Sequence, residues 1–159
     1  MTTTDPIVRL ALPSDEDEVM VLCRMLWEEN ALFPMSEDRV RDTLKLAFAK
    51  RGGMLGVIGD KGKIEGMIYL LISSFWYSSE WYLQELFNYV HPDYRRSTNA
   101  KALLSFSKKC SDEIGLPLLI GIISNERTEQ KVKLYQRQFH KPDGAFFFYR
   151  GKERQEAAA

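Results

Sequence analysis

The chain has 159 residues, 22 of them basic and 22 acidic, and 45% are hydrophobic. That size and apolar share fit one domain with a substantial core, while zero net charge argues against a general nucleic-acid-binding face, which shows as a basic excess. No apolar run approaches the roughly 20 residues that span a bilayer, and the opening MTTTDPIVRL lacks the basic start and apolar stretch of a signal peptide.

Ile7 to Ala11 reads as a short strand, stopped at Pro13-Ser14. Ser14 is the expected N-cap of a first helix, and the acidic run Asp15 to Glu18 suits the positive end of its dipole. Val19, Leu22, Cys23 and Leu26 continue at helical spacing to about Asn30. After an apolar loop, Ala31 to Met35, Ser36 caps a second helix that ends at Arg51-Gly52-Gly53. Met54–Ile58 and Ile64–Ser74 form a hairpin across the turn residues Gly59 to Gly62. The aromatic stretch Phe75 to Trp81 leads into a third strand of this sheet, ending at Val90 before Pro92. A helix from about Thr98 to Ile114 follows, with Gly115 as its C-cap. Leu116 to Ile123 is a continuous apolar run, the mark of a buried strand. A helix from Arg127 to about Gln138 and an aromatic strand, Gly144 to Tyr149, complete the order β-α-α-β-β-β-α-β-α-β. A sheet with helices on both faces buries these elements most economically. One domain is expected over residues 1–152, with 153–159 as a solvated tail.

The stretch Y-V-H-P-D-Y-R-R-S-T-N-A-K-A-L-L, Tyr89 to Leu104, is a strand end, a tight turn and a helix start. Such a junction points several backbone N–H groups at one spot, where the helix dipole adds partial positive charge. With Arg95 and Arg96 it is an anion site, although taken alone the same residues also fit a solvated helix start.

This stretch resembles motif A of the GCN5-related N-acetyltransferases (GNAT), in which V-x-P-x-Y-R leads into an R/Q-x-x-G-x-G/A loop and a helix. Val90, Pro92, Tyr94, Arg95, Ala100 and Leu103-Leu104 fall on the pattern, and Thr98 stands where the family usually has glycine. The order of elements matches over most of the chain. The resemblance implies an α/β (α+β) fold: a mixed, mostly antiparallel central sheet with helices on both faces and splayed fourth and fifth strands. It implies acetyl-CoA, or another acyl-CoA, as cofactor, held by Tyr89, Val90, Arg95, Arg96, Ser97, Thr98, Asn99, Ala100 and Asn125. Tyr135 matches the tyrosine that often faces the thioester sulfur. Phe33, in the Ala31–Met35 loop, and the Phe139–Phe146 region are implied walls for the acceptor.

Acyl transfer to an amine needs a neutral amine, a polarised carbonyl and a stabilised thiolate. A primary amine of pKa near 10.4 is only about one part in a thousand neutral at pH 7, so a base helps. Glu85 is the first choice for it; alternation along the strand puts Glu85, Phe87 and Tyr89 on one face. Tyr135 is the acid, and the Val90 N–H the carbonyl polariser. Plainer roles exist for each: an exposed strand carboxylate for Glu85, a core tyrosine for Tyr135. Cys23 and Cys110 read as small core residues of a reduced, cytoplasmic protein. His91 and His140 lack metal-ligand spacing, and no metal is expected. Phe75, Trp76, Tyr77, Trp81 and Tyr82 read as core plus interface, the latter allowing a homodimer. The expected partner is a small-molecule or peptide amine. Two other readings stand beside this one: a catalytically silent acyl-CoA-binding module, and an acyltransferase acting on nucleic acid through Arg95, Arg96, Lys101, Lys108 and Lys109.

Overall fold

A computed structural model describes residues 4–125 and 127–152; the tail expected at 153–159 lies outside them. The elements are β1 (Val8–Leu10), α1 (Glu16–Asn30), α2 (Glu37–Phe48), β2 (Gly53–Ile58), β3 (Gly66–Ser74), β4 (Trp81–Val90), α3 (Asn99–Ile114), β5 (Leu118–Leu119) and α4 (Thr128–Phe139). The five strands lie in one sheet in chain order. β1 to β4 pair antiparallel, and β5 joins β4 in parallel.

The sheet is covered on both faces. Val19, Met20, Leu22, Cys23 and Leu44 of α1 and α2 pack with Leu55, Val57, Met67, Tyr69 and Tyr89. On the other face Ala102, Leu103 and Cys110 of α3 pack with Ile58, Ile68, Leu70, Leu83 and Val90. Both cysteines are buried, on opposite faces of the sheet, and burial pushes the Cys23 thiol up to about 12.

Helix ends show where local chemistry ruled and where it was overruled. Ser36 caps α2, its hydroxyl accepting the Arg39 N–H at 3.4 Å. Gly115 ends α3 in the left-handed region (φ 75°), which glycine adopts without steric cost. The expected cap of α1 at Ser14 is corrected. Pro13–Asp15 form a 3-10 turn, and buried Asp15 accepts the Leu12 N–H at 2.7 Å while pairing with Arg9 at 2.8 and 3.0 Å. A carboxylate with a cationic partner outcompetes a neighbouring hydroxyl.

Three further expectations change. The run Leu116–Ile123 supplies a strand of only two residues, and Gly144–Tyr149 forms no strand. Phe146, Phe147 and Tyr149 are largely exposed. The cluster Phe75–Tyr82 is not core: Trp76 is 95% exposed, and Phe75 stacks between Tyr77 (5.5 Å) and Tyr82 (4.5 Å) on the outside of the β3–β4 turn. Apolar composition predicted burial there, but Phe75, Trp76, Tyr77 and Trp81 are each at least 42% exposed.

Candidate active site

Pairing between β4 and β5 is confined to Leu83–Leu118 and Gln84–Leu119. Beyond Gln84, β4 runs on for six residues without a β5 partner. His91 N–H donates to Glu65 O on the β3 side. By strand alternation, the N–H and C=O of Val90 therefore turn to the side that β5 has left. The Val90 carbonyl accepts Arg95 Nε there at 3.1 Å, and its N–H faces the same gap.

A bulge decides where Glu85 points. Tyr69 stands opposite Phe87 but Leu70 opposite Glu85, so Leu86 is an extra residue in β4. Phe87 and Tyr89 belong to the α1–α2 face, whereas Glu85, across from Leu70, belongs to the α3 face. The expectation that the three share a face is corrected: an inserted residue reverses the alternation. The reversal brings Glu85 to Tyr135 of α4, whose hydroxyl donates to Glu85 Oε2 at 3.1 Å. Glu85 keeps some exposure, yet the surrounding protein withdraws enough water to push its pKa up to about 8, against the opposing pull of the Tyr135 hydroxyl. Burial, and then the charge of Glu85, raise the Tyr135 phenol above its ordinary range. Tyr135 is thus a hydrogen-bond donor at neutral pH and a poor source of a whole proton.

The residues expected to hold the cofactor divide by what already holds them. Arg95 is committed inside the protein: Nη2 donates to Glu29 Oε1 and Oε2 at 2.7 and 2.8 Å, and the guanidinium lies 5.3 Å from the Tyr89 ring centre. Tyr89 is buried and donates its own hydroxyl to Glu29 at 2.8 Å. Ser97 Oγ donates to Tyr94 O and accepts the Asn99 N–H. The Asn99 side chain is buried and donates to Glu65 at 3.0 Å. Thr98 has φ −88° and ψ 11°, values open to any residue, so glycine's conformational freedom is not needed there. Among the described residues Arg96 has no ion-pair partner, and the first-turn amides of Ala100 and Lys101 have no acceptor. Arg96 and these amides are what the loop offers an anion.

Asn125 does not face the gap through a free amide; its Nδ2 donates to Ala31 O at 3.3 Å. Phe33 lines an open hollow of about 480 Å³ with Trp27, Glu28, Ala31, Leu32 and Pro34, and meets Phe148 edge-on at 5.7 Å. The structure thus joins Glu85 to Tyr135, and Val90 to Arg95 by a hydrogen bond and to Ala100 by packing. Phe33 lies on the α1–α2 loop, at the hollow. Sequence reasoning missed Glu29, Asn30, Ser124 and Lys131, the polar residues that tie this region together. Ser124 Oγ donates to Asn30 at 3.2 Å and accepts from Lys131 Nζ at 2.9 Å. No motif marks them, because their partners lie 60 or more residues away for Glu29 and 94 for the Asn30–Ser124 pair. Among the described residues no group of His, Cys, Asp and Glu is arranged to hold a metal ion, and no helix is long and apolar enough to cross a membrane.

This architecture is that of the GNAT acetyltransferases. AAC(6')-Iy, solved in complex with the bisubstrate analogue CoA-S-monomethyl-acetylneamine, superposes with a TM-score of 0.72 at 16% identity, over 94% of this chain and 99% of that one. A ribosomal-protein-alanine N-acetyltransferase from Brucella melitensis biovar Abortus gives 0.70 at 18% identity, over 93% and 100%. A GNAT family acetyltransferase from Staphylococcus aureus gives 0.64 at 19% identity, over 92% and 99%. No family model and no curated protein matches the sequence.

Proposed function

We propose that the chain is an acyl-CoA-dependent N-acyltransferase that passes an acetyl group to a primary amine by direct attack in a ternary complex. The observation that carries this reading is the gap beside β4, where the Val90 N–H opens on one side of a strand whose Glu85 is a carboxyl poised near neutral pH. The residues present fit acyl-CoA. The unpaired edge of β4 offers backbone hydrogen bonds to an extended amide chain, and the α3 amides with Arg96 offer an anion cradle. Likeness in fold to an enzyme solved with a CoA bisubstrate analogue supports the same reading.

When bound, acyl-CoA supplies the activated acyl group. Glu85 accepts the proton of the attacking amine, directly or through water. The Val90 N–H donates to the carbonyl oxygen as charge develops on it. Once Glu85 holds the amine proton it can donate to the Tyr135 oxygen, which frees the Tyr135 hydroxyl to hydrogen-bond the sulfur leaving as the thiolate of coenzyme A. The raised pKa of Tyr135 makes that stabilisation rather than full protonation. The hollow beside Phe33 receives the acceptor, a small-molecule or peptide amine.

Thermal unfolding tests the cofactor assignment. CoA at 100 times its dissociation constant adds about 2.7 kcal/mol, and no shift in midpoint at millimolar CoA or acetyl-CoA rejects it. Arg96→Ala should weaken CoA binding about tenfold and flatten its salt dependence, measured by calorimetry at two ionic strengths. Unchanged affinity would remove Arg96 from the site. Thiol release from acetyl-CoA across a panel of amines separates an enzyme from a silent binding module: tight CoA binding without release for any amine favours the module.

A further inference from the structure

The last turn of α1 and the residue after it are bound by the end of β4, by the loop after it and by the segment that follows β5. From one side, Arg95 of the cofactor loop and Tyr89 of β4 both donate to Glu29. From the other, Ser124 donates to Asn30, and Asn125 to Ala31 O. Ala31 opens the loop that carries Phe33 and lines the hollow. Glu29 itself touches neither the hollow nor the gap-facing edge of β4.

We propose that Glu29 is a positioning residue: through Arg95 it holds the end of β4 and the cofactor loop against the start of the α1–α2 loop, so that the walls of both substrates are set together. Three features support it. In the Glu29–Arg95 pair a single nitrogen, Nη2, lies within 2.7 and 2.8 Å of both carboxylate oxygens, and each side chain is only 28% exposed, which distinguishes it from the mobile ion pairs of an open surface. Arg95 also donates Nε to the Val90 carbonyl, so the pair orients the residue whose N–H faces the gap. The Tyr89 ring packs under the guanidinium while its hydroxyl completes the carboxylate's partners, leaving Arg95 little freedom to swing toward a phosphate. Arg95 therefore acts through geometry and not as an anion ligand, a division of labour with Arg96.

The catalytic part of this inference rests on the proposed acyltransferase reading; the mechanical part does not. Amide hydrogen exchange on the cofactor-free protein tests the mechanical part. Glu29→Gln and Arg95→Gln should each speed exchange of the hydrogen-bonded His91, Tyr94 and Ser97 amides about tenfold or more, and the double variant no further, as expected for two members of one strut. Exchange at wild-type rates in Glu29→Gln overturns the proposal whatever the cofactor. Calorimetry with CoA and thiol release with an amine the wild type uses then test the rest. The two single variants should weaken CoA alike and without additivity, and raise the amine KM roughly threefold to tenfold although neither residue lines the hollow. Tighter CoA binding by Glu29→Gln would mean that Glu29 restrains a phosphate ligand, and additive losses would mean independent roles; either result rejects the strut. If Glu29→Gln fails to fold, Tyr89→Phe, which removes one donor and keeps the ring under Arg95, should show a weaker form of the same pattern. Wild-type protein that binds no CoA would reject the functional reading while leaving the exchange result to judge the strut.

Discussion

Glu85→Gln should lower acetyl transfer by about 10²- to 10⁴-fold, with the binding of CoA unchanged. The amide keeps the shape of the side chain and a partner for the Tyr135 hydroxyl, so the loss reports the proton acceptor alone. With a pKa near 8, about one Glu85 in ten is ionised at pH 7. The wild-type kcat/KM should rise about tenfold per pH unit below 8 and level off above it. An acceptor amine whose own pKa lies well below 7 keeps its titration out of this window. The variant should lose that limb. A Glu85→Gln enzyme within threefold of wild type, or a limb that survives in it, would show that Glu85 is a packed strand carboxyl only.

The same group makes an independent prediction about stability. Glu85 titrates near 8 in the folded protein and near 4.5 when exposed, so between these values the folded state holds a proton that the unfolded chain has released. Its contribution to stability is greatest below pH 4.5, falls as pH rises through 8, and is least above that. Glu85→Gln removes this slope. Melting curves at pH 5 and pH 9 should therefore show the variant gaining on the wild type as pH rises, a change that needs no substrate to detect.

Gly59→Ala should destabilise the protein by about 3 kcal/mol, lowering the melting midpoint by roughly 6–12 °C for a chain of this size. Gly59 has φ +106°, and a Cβ there would lie 2.1 Å from the Lys63 carbonyl oxygen, a backbone atom that cannot move alone. The turn it forms matters beyond its own strands. Glu65, a few residues on, accepts the His91 N–H through its carbonyl and the Asn99 side chain through its carboxylate, so it anchors both ends of the loop between β4 and α3. Gly59→Ala should weaken CoA binding as well as stability. Gly62→Ala is the control. Its φ of +91° carries the same kind of strain, but a Cβ there meets nothing within 4 Å. It should cost about 1–2 kcal/mol and leave CoA affinity alone. Equal losses in the two variants would mean that backbone strain, and not the collision with Lys63, governs the turn.

Much of this protein is legible from its amino acids in order. Helix and strand periodicities, Ser36, Gly115 and the turn at Gly59–Gly62 are local signals, and local chemistry placed α1 to α4 and β2 to β4 close to where they fall. The junction at Val90–Leu104 was legible for the same reason, since a strand end, a turn and a helix start are neighbours in sequence. Tertiary structure alone decided where the candidate site residues point and what holds them. One inserted residue, Leu86, turned Glu85 away from Phe87 and toward Tyr135, 50 positions later, and burial then moved its pKa. Arg95 and Arg96 are adjacent and chemically alike, yet Glu29, 66 residues before Arg95, draws one inward and leaves the other to the loop. Side-chain direction and proton affinity depend on partners brought together by packing, and no pattern within a strand or a helix encodes them.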